Sequence, residues 1–202
     1  MLQNSPNSTG LFITTTVTIV LAFLGYLLTY LNNLRLTQRK DRLDRVNRQL
    51  GELYGPLFAF DHASHIARQK FLQKYAAGRD SFFAKGVKHT DDELRAWRHW
   101  MSTVFMPINT RIYELILSKS DLLIESYMPS CLIQLCAHVA SYKVVLEEWE
   151  REDFTSHIAL VPFPKELHEY ARGSFEILKS EQAKLLGERG HTESRPNAEK
   201  TT

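Results

Sequence analysis

Cysteine is scarce in this chain of 202 residues, which contains only Cys131 and Cys136. The two stand five residues apart within a helical pattern, so their side chains point in different directions and cannot form a disulfide within one helix. We therefore expect both thiols to be reduced and to lie in a protein core.

Charge is missing from residues 11–31, a stretch that also has no proline and a single glycine. A helix of this length rises about 30 Å, which is the thickness of the hydrocarbon core of a bilayer. The neutral residues 1–10 lack the positive region of a secretory signal, and no small-residue cleavage site follows the stretch. The sequence therefore predicts one transmembrane helix over 11–31, after an extracytoplasmic tail over 1–10.

Basic residues collect in residues 32–48, directly after this span, and Asp41 and Asp44 are the only acids in that stretch. The residues predicted to set the topology and to meet lipid headgroups are Arg35, Arg39, Lys40, Arg42, Arg45 and Arg48. Positive charge is retained on the cytoplasmic side of a membrane. We therefore expect the N-terminus outside, the C-terminal domain in the cytoplasm, and the lipid bilayer as a partner.

Motifs for catalysis are also lacking. The chain has no Gly-x-Ser-x-Gly elbow, no glycine-rich phosphate turn and no His-Glu-x-x-His metal pattern. Glu-x-x-His occurs once, at residues 188–191, whereas a di-iron bundle needs it on two helices. A net charge of +2 gives no general attraction to nucleic acid. We predict no catalytic residue, no cofactor and no nucleic-acid partner.

One weak metal-binding pattern remains, since His62 and His65 stand three residues apart on one helix face. A neighbouring helix could add His99 or His138 and complete a site for zinc or iron. This leaves a metal-dependent enzyme as a minor hypothesis beside ordinary surface and hydrogen-bonded histidines.

Apolar residues from Leu36 onward follow the helical period, and no segment has the alternation typical of a strand. The first run continues to about residue 77 and is interrupted at Gly55 and Pro56, which we interpret as a hinge in a kinked helix. The domain boundaries that follow are a juxtamembrane helix over 32–54 and a helical bundle over 55–186. Residues 187–202 have no apolar period and are expected to be a disordered tail.

Helix starts within the bundle are marked by capping residues and prolines. Thr90 and Glu93 have the spacing of a capping box, and Pro107 should bend the helix that they begin. Further helices are predicted over 120–128, 130–149 and 164–186. The predicted fold class is all-α, with a single N-terminal transmembrane helix followed by a cytosolic bundle of about four main helices.

Small residues in the span recur at spacings of three and four, and apolar residues continue this register beyond the membrane. The predicted self-association stripe consists of Thr18, Ala22, Gly25, Thr29, Leu36, Leu43 and Val46. Small residues allow close helix contact in a bilayer, and a sustained register favours a left-handed coiled coil. A homodimer or higher oligomer is therefore expected. The alternative is that the juxtamembrane part faces its own chain's bundle.

The run NRQLGELYGPL at residues 47–57 resembles a group of uncharacterised bacterial single-pass inner-membrane proteins. The segments HVASY at 138–142 and FP at 163–164 are similar to later stretches of the same group. The resemblance implies a bacterial inner membrane and an all-helical cytosolic domain, and it brings no activity or catalytic residue.

These observations favour a membrane-anchored interaction or scaffold protein that binds a cytosolic protein at the cytoplasmic face of the membrane. The first alternative is an effector of a toxin or defence system that oligomerises through its span and perturbs the bilayer. The second is the metal-dependent bundle enzyme.

Overall fold

The structure, a computed structural model, describes residues 8–76, 78–79 and 81–187. Within these ranges the chain forms helices and turns, with no β-strand. In chain order the elements are α1 (Ser8–Arg48), a first π-helical turn (Gln49–Tyr54), α2 (Gly55–Tyr75), α3 (Asp91–Trp100), a second π-helical turn (Met101–Phe105), α4 (Met106–Ser118), a 3-10 turn (Ser120–Leu122), α5 (Ser130–Glu150) and α6 (Leu167–Leu186). Each π-helical turn joins its two neighbours without a break, so the described chain has four continuous helical segments. The all-α expectation is confirmed.

The chain divides into two compact units, Met1–Asp44 and Arg45–Thr202. In the first unit, every side chain from residue 13 to residue 42 is exposed. The helical run that begins at Ile13 includes an apolar window of 18 residues, none of it buried, and is long enough to cross a membrane. The prediction of one candidate membrane-spanning helix near the N-terminus is confirmed by length and composition.

The core of the second unit lies where α2 packs against α4 and α6, and where α4 packs against α5. Its largest fully buried side chains include Tyr54, Phe71, Leu53, Leu57 and Ile112. Phe71 is at the centre of an aromatic cluster, with ring contacts to Tyr75, Phe82, Trp97, Trp100 and Phe105. Burial of one large apolar side chain contributes about 1.5–3 kcal/mol, so this cluster is a major source of stability.

Both helix-interior prolines, Pro56 and Pro107, follow a π-helical turn directly. At the first turn the Gly55 N–H donates to the Leu50 carbonyl, five residues back. At the second turn the Met106 N–H donates to the Met101 carbonyl, again five residues back. Proline has no N–H, and its ring collides with the carbonyl four residues back in an α-helix. A wider π-helical turn moves that carbonyl away, so the chain stays helical through both prolines.

The helix ends agree with the sequence at some positions and differ at others. The capping box is confirmed, since Glu93 N–H donates to Thr90 Oγ1 at 3.2 Å and Thr90 N–H donates to Glu93 Oε2 at 2.8 Å. The helix predicted over 120–128 is wrong: only Ser120–Leu122 is helical, because the Ile124 N–H is taken by a tyrosine hydroxyl. The tail predicted over 1–10 and the disorder predicted over 187–202 lie largely outside the described residues.

Candidate functional site

Asp61 is the one acidic side chain of the described residues that lies in the core, and it is 3% exposed. It stands on α2, and its Oδ2 accepts a hydrogen bond of 2.6 Å from Nδ1 of His168, the second residue of α6. Burial of a carboxylate costs several kcal/mol unless a donor or an opposite charge compensates it. The His168 ring supplies that donor and thereby joins α6 to α2.

Three histidine rings, His62, His65 and His168, form what we call the imidazole stack. The His65 and His168 centroids are 4.4 Å apart with planes at 13°, and those of His62 and His168 are 5.8 Å apart at 16°. Phe58 stacks on His62 at 5.5 Å and on Phe175 at 5.2 Å. Phe58, His62 and His65 follow the helical period along one face of α2, so one helix face supplies three of these five rings.

His65 is neutral at pH 7 in this arrangement. Partial loss of water around its ring lowers the pKa of His65, and the neighbouring imidazole of His168 lowers it further. The Gln69 Nε2 atom lies 3.0 Å from His65 Nε2. An amide nitrogen only donates, so His65 Nε2 accepts this hydrogen bond and the ring proton is on Nδ1.

A groove beside the imidazole stack is lined mainly by basic and amide side chains. This basic groove consists of His65, Arg68, Gln69, Leu72, Gln73, Gly78 and Arg79. Arg79 is fixed at its edge, because Nε donates to the Ala76 carbonyl at 2.8 Å and Nη2 donates to the Tyr75 carbonyl at 3.3 Å. The arrangement is suited to an anion rather than to a cation.

The metal site considered at His62 and His65 is not assembled. Among the described residues no group of three or more histidine, cysteine and carboxylate side chains could hold a metal ion. The stacked imidazole rings are nearly parallel, so the lone pairs of their nitrogens do not point to one common position, as the ligands of a metal ion must. His138, a proposed third ligand, lies on α5 and its Nδ1 contacts the Val161 carbonyl at 2.7 Å.

A second polar cluster surrounds Tyr54 at the end of the first π-helical turn, where its side chain is fully buried. Its hydroxyl accepts from the Ile124 N–H at 3.0 Å and lies 3.1 Å from the Tyr170 hydroxyl. Tyr170 in turn donates to Glu125 Oε2 at 3.1 Å. Burial raises the pKa of both tyrosines, so both hydroxyls remain protonated. The cluster connects the turn to α6 and to the segment before α5.

The hinge residues Gly55 and Pro56 directly follow this cluster in the chain. A Cβ atom built on Gly55 would lie 2.5 Å from the Leu50 carbonyl oxygen, closer than any real contact of that kind. Glycine is therefore required there by the π-helical turn. Whether the pair acts as a hinge stays a prediction.

The basic residues predicted to set topology are exposed along α1: Arg35, Arg39, Lys40, Arg42, Arg45 and Arg48. Arg48 also forms an ion pair with Glu52 at 3.2 Å, and Glu52 contacts Lys119 at 2.7 Å. These two cations lower the pKa of the Glu52 carboxyl, with Lys119 contributing most.

The members of the predicted self-association stripe differ in exposure. Thr18, Ala22, Gly25, Thr29 and Leu36 are exposed, and Leu43 is half-buried. Val46 is 3% exposed and belongs to the core of its own chain. The Thr18 and Thr29 hydroxyls donate to carbonyls of their own helix, each at 2.9 Å. Only the exposed members are available to a second copy.

The cysteines are free thiols, with Cys131 buried and Cys136 half-buried on α5. Burial raises the pKa of both, which keeps them protonated and unreactive at neutral pH.

The partners of the imidazole stack were not found from the sequence. Asp61 stands four residues after the buried Leu57, so the helical period places it toward the core, and a carboxylate there demands a partner. That signal could have identified Asp61. It could not have selected His168, which is 107 residues further along the chain.

Comparisons of the chain with protein-family models, with curated proteins and with solved structures found no match in any of the three.

Proposed function

We propose that this chain is a single-pass membrane protein that presents its helical domain at the cytoplasmic face as an interaction or scaffold module. The observation that carries the proposal is the apolar surface of α1, where Ile13 is 60%, Phe23 64% and Leu28 69% exposed. Each such side chain gains about 1.5–3 kcal/mol when it leaves water. A bilayer supplies that environment along the whole stretch.

Charge supports the orientation with the N-terminus outside, because the exposed cations of α1 follow the apolar stretch and none of residues 1–10 is charged. The resemblance of residues 47–57 to bacterial proteins supports the inner membrane as the location. We expect alkaline phosphatase fused after Thr202 to be inactive in a bacterial host, and a fluorescent protein at the same position to be fluorescent.

Controls for this experiment carry the same two reporters directly after Arg48, so they keep the span and all six basic residues and should give the same pair of results. Exchange of Arg35, Arg39, Lys40 and Arg42 for glutamine should weaken the orientation and yield measurable phosphatase activity. An active phosphatase and a dark fluorescent protein in the unaltered chain would contradict the topology.

The second unit has features of a protein-binding domain, which we take to be an up-and-down bundle. Large apolar side chains remain on its surface, with Leu160 at 98%, Tyr127 at 69% and Ile177 at 61% exposed. Aromatic and aliphatic side chains of this size contribute much of the binding energy where a partner covers them. Its partner would be a cytosolic protein.

We further propose that the spans pair through their small residues. A Cβ atom added at Gly25 would have no atom within 4 Å, so a second helix could approach the backbone there. Single cysteines at Thr18, Ala22, Gly25 or Thr29, with Cys131 and Cys136 replaced by serine, are expected to crosslink in membranes. Matched cysteines at Val20, Leu24 and Leu27 should crosslink less, and equal crosslinking at all seven positions would refute the pairing.

A further inference from the structure

We propose that the basic groove of α2 binds a phosphate-bearing anion. The inference goes beyond the proposed anchoring and partner binding, because neither of these requires a site for an anion. The groove combines two arginines, one histidine and two glutamines, all from residues 65–79. No aspartate or glutamate occurs between residues 62 and 79. The nearest carboxylate influence on Arg79 comes from Glu93 on α3, whose pKa is lowered by the hydrogen bond from the Thr90 N–H and further by this arginine.

Arg79 provides a fixed donor at one side of the groove. Its guanidinium is held by the Ala76 and Tyr75 carbonyls through Nε and Nη2. A guanidinium that is already oriented loses little side-chain freedom when it binds an oxyanion. The remaining N–H groups of its planar fork can donate to phosphate oxygens.

Arg68 provides the second donor. It lies on the exposed side of α2, and within the described part of the chain it forms no hydrogen bond or ion pair. Most other arginines of the second unit for which contacts are described pair with a carboxylate on the same helix, as Arg111 does with Glu114 at 3.4 Å. Two arginines in one groove suit the charge and geometry of a phosphate group.

His65 makes the groove dependent on pH. The ring is neutral at pH 7, and the groups that face it are Asp61, His62 and Arg68 from α2 and His168 from α6. Protonation of the ring adds a positive charge to the groove and breaks its acceptor contact with Gln69. Affinity for an anion of fixed charge should therefore rise as the pH falls through the lowered pKa of His65.

Binding can be tested with the full chain in neutral detergent micelles, titrated with inorganic phosphate and with sodium chloride at equal ionic strength. We expect phosphate to bind and chloride not to compete. Arg68→Gln should weaken phosphate affinity about tenfold, because it removes the charge-assisted hydrogen bonds from the Arg68 guanidinium to the phosphate oxygens. Arg111→Gln removes the same charge on α4 outside the groove, and this control should change affinity less than twofold.

Two further arms define the ligand and the role of His65. Sulfate keeps its charge across the range, so its affinity should rise about threefold or more between pH 7.5 and pH 5.5 in the unaltered chain. The rise should be smaller in His65→Gln, which keeps only the imidazoles of His62 and His168 beside the groove. Nanodiscs containing phosphatidylglycerol should weaken binding of free phosphate if a lipid headgroup is the natural source, and should leave it unchanged if a soluble phosphate is. Equal phosphate affinities of Arg68→Gln and Arg111→Gln, or no preference for phosphate over chloride, would overturn the proposal.

Discussion

Replacement of His168 by alanine is expected to lower the free energy of unfolding by about 3 kcal/mol at neutral pH, because it leaves a buried charge without a partner. Asp61 is 3% exposed, and His168 is its hydrogen-bond donor among the described side chains. The effect can be measured by urea unfolding of the full chain in detergent micelles, followed through tryptophan fluorescence. Trp97 and Trp100 report on the core, since both contact Phe71.

His62→Ala is the matched control for this experiment. The ring of His62 belongs to the same stack but is exposed, and it supplies no hydrogen bond to Asp61. Its removal should cost less than about 1 kcal/mol. Asp61→Asn in the His168→Ala background should recover part of the loss, because a buried neutral amide costs less than a buried carboxylate. Equal losses in His62→Ala and His168→Ala would mean that stacking, and not charge compensation, holds α6 to α2.

Gly55→Ala is expected to destabilise the second unit by about 2 kcal/mol, even though alanine is the better helix former by about 1 kcal/mol. The new methyl group would lie 2.5 Å from the Leu50 carbonyl oxygen, which is the acceptor of the Gly55 N–H. The chain must then open the π-helical turn or shift Leu50 away from the core. The midpoint of thermal unfolding in the same micelles measures the effect.

Gly51→Ala separates this steric effect from helix propensity. Gly51 lies in the same π-helical turn, is exposed, and has no atom within 4 Å of an added Cβ. Alanine there should leave stability unchanged or raise it by up to about 1 kcal/mol. Gly173→Ala in α6 has the same free space and the same expectation. If Gly55→Ala and Gly51→Ala shifted the midpoint in the same direction, the close approach to Leu50 would not govern the turn.

The helices could be predicted from the sequence because their causes are local. The helical period, the capping box of Thr90 and Glu93, and the apolar span each depend on residues within a few turns of one another. The hydrogen bond between Asp61 and His168 depends instead on how α2 and α6 cross, which no short window of sequence contains. The self-association stripe from Thr18 to Val46 shows the same restriction. Helical periodicity identifies the residues that share one helix face, but it does not identify what packs against that face. The structure places Val46 in its own core and leaves Ala22 and Gly25 exposed.

The two π-helical turns have a consequence for how this sequence can vary. A π-helical turn contains one residue more than an α-helical turn over the same rise, so it corresponds to a one-residue insertion in an α-helix. At Gln49–Tyr54 and again at Met101–Phe105, that extra residue is what accommodates the proline that follows. At each of the two π-helical turns, the extra residue and the proline after it are therefore expected to be kept or lost together. A homologue without Pro56 has no steric need for the extra residue, whereas one that keeps Pro56 and loses the residue inherits a clash inside a continuous helix.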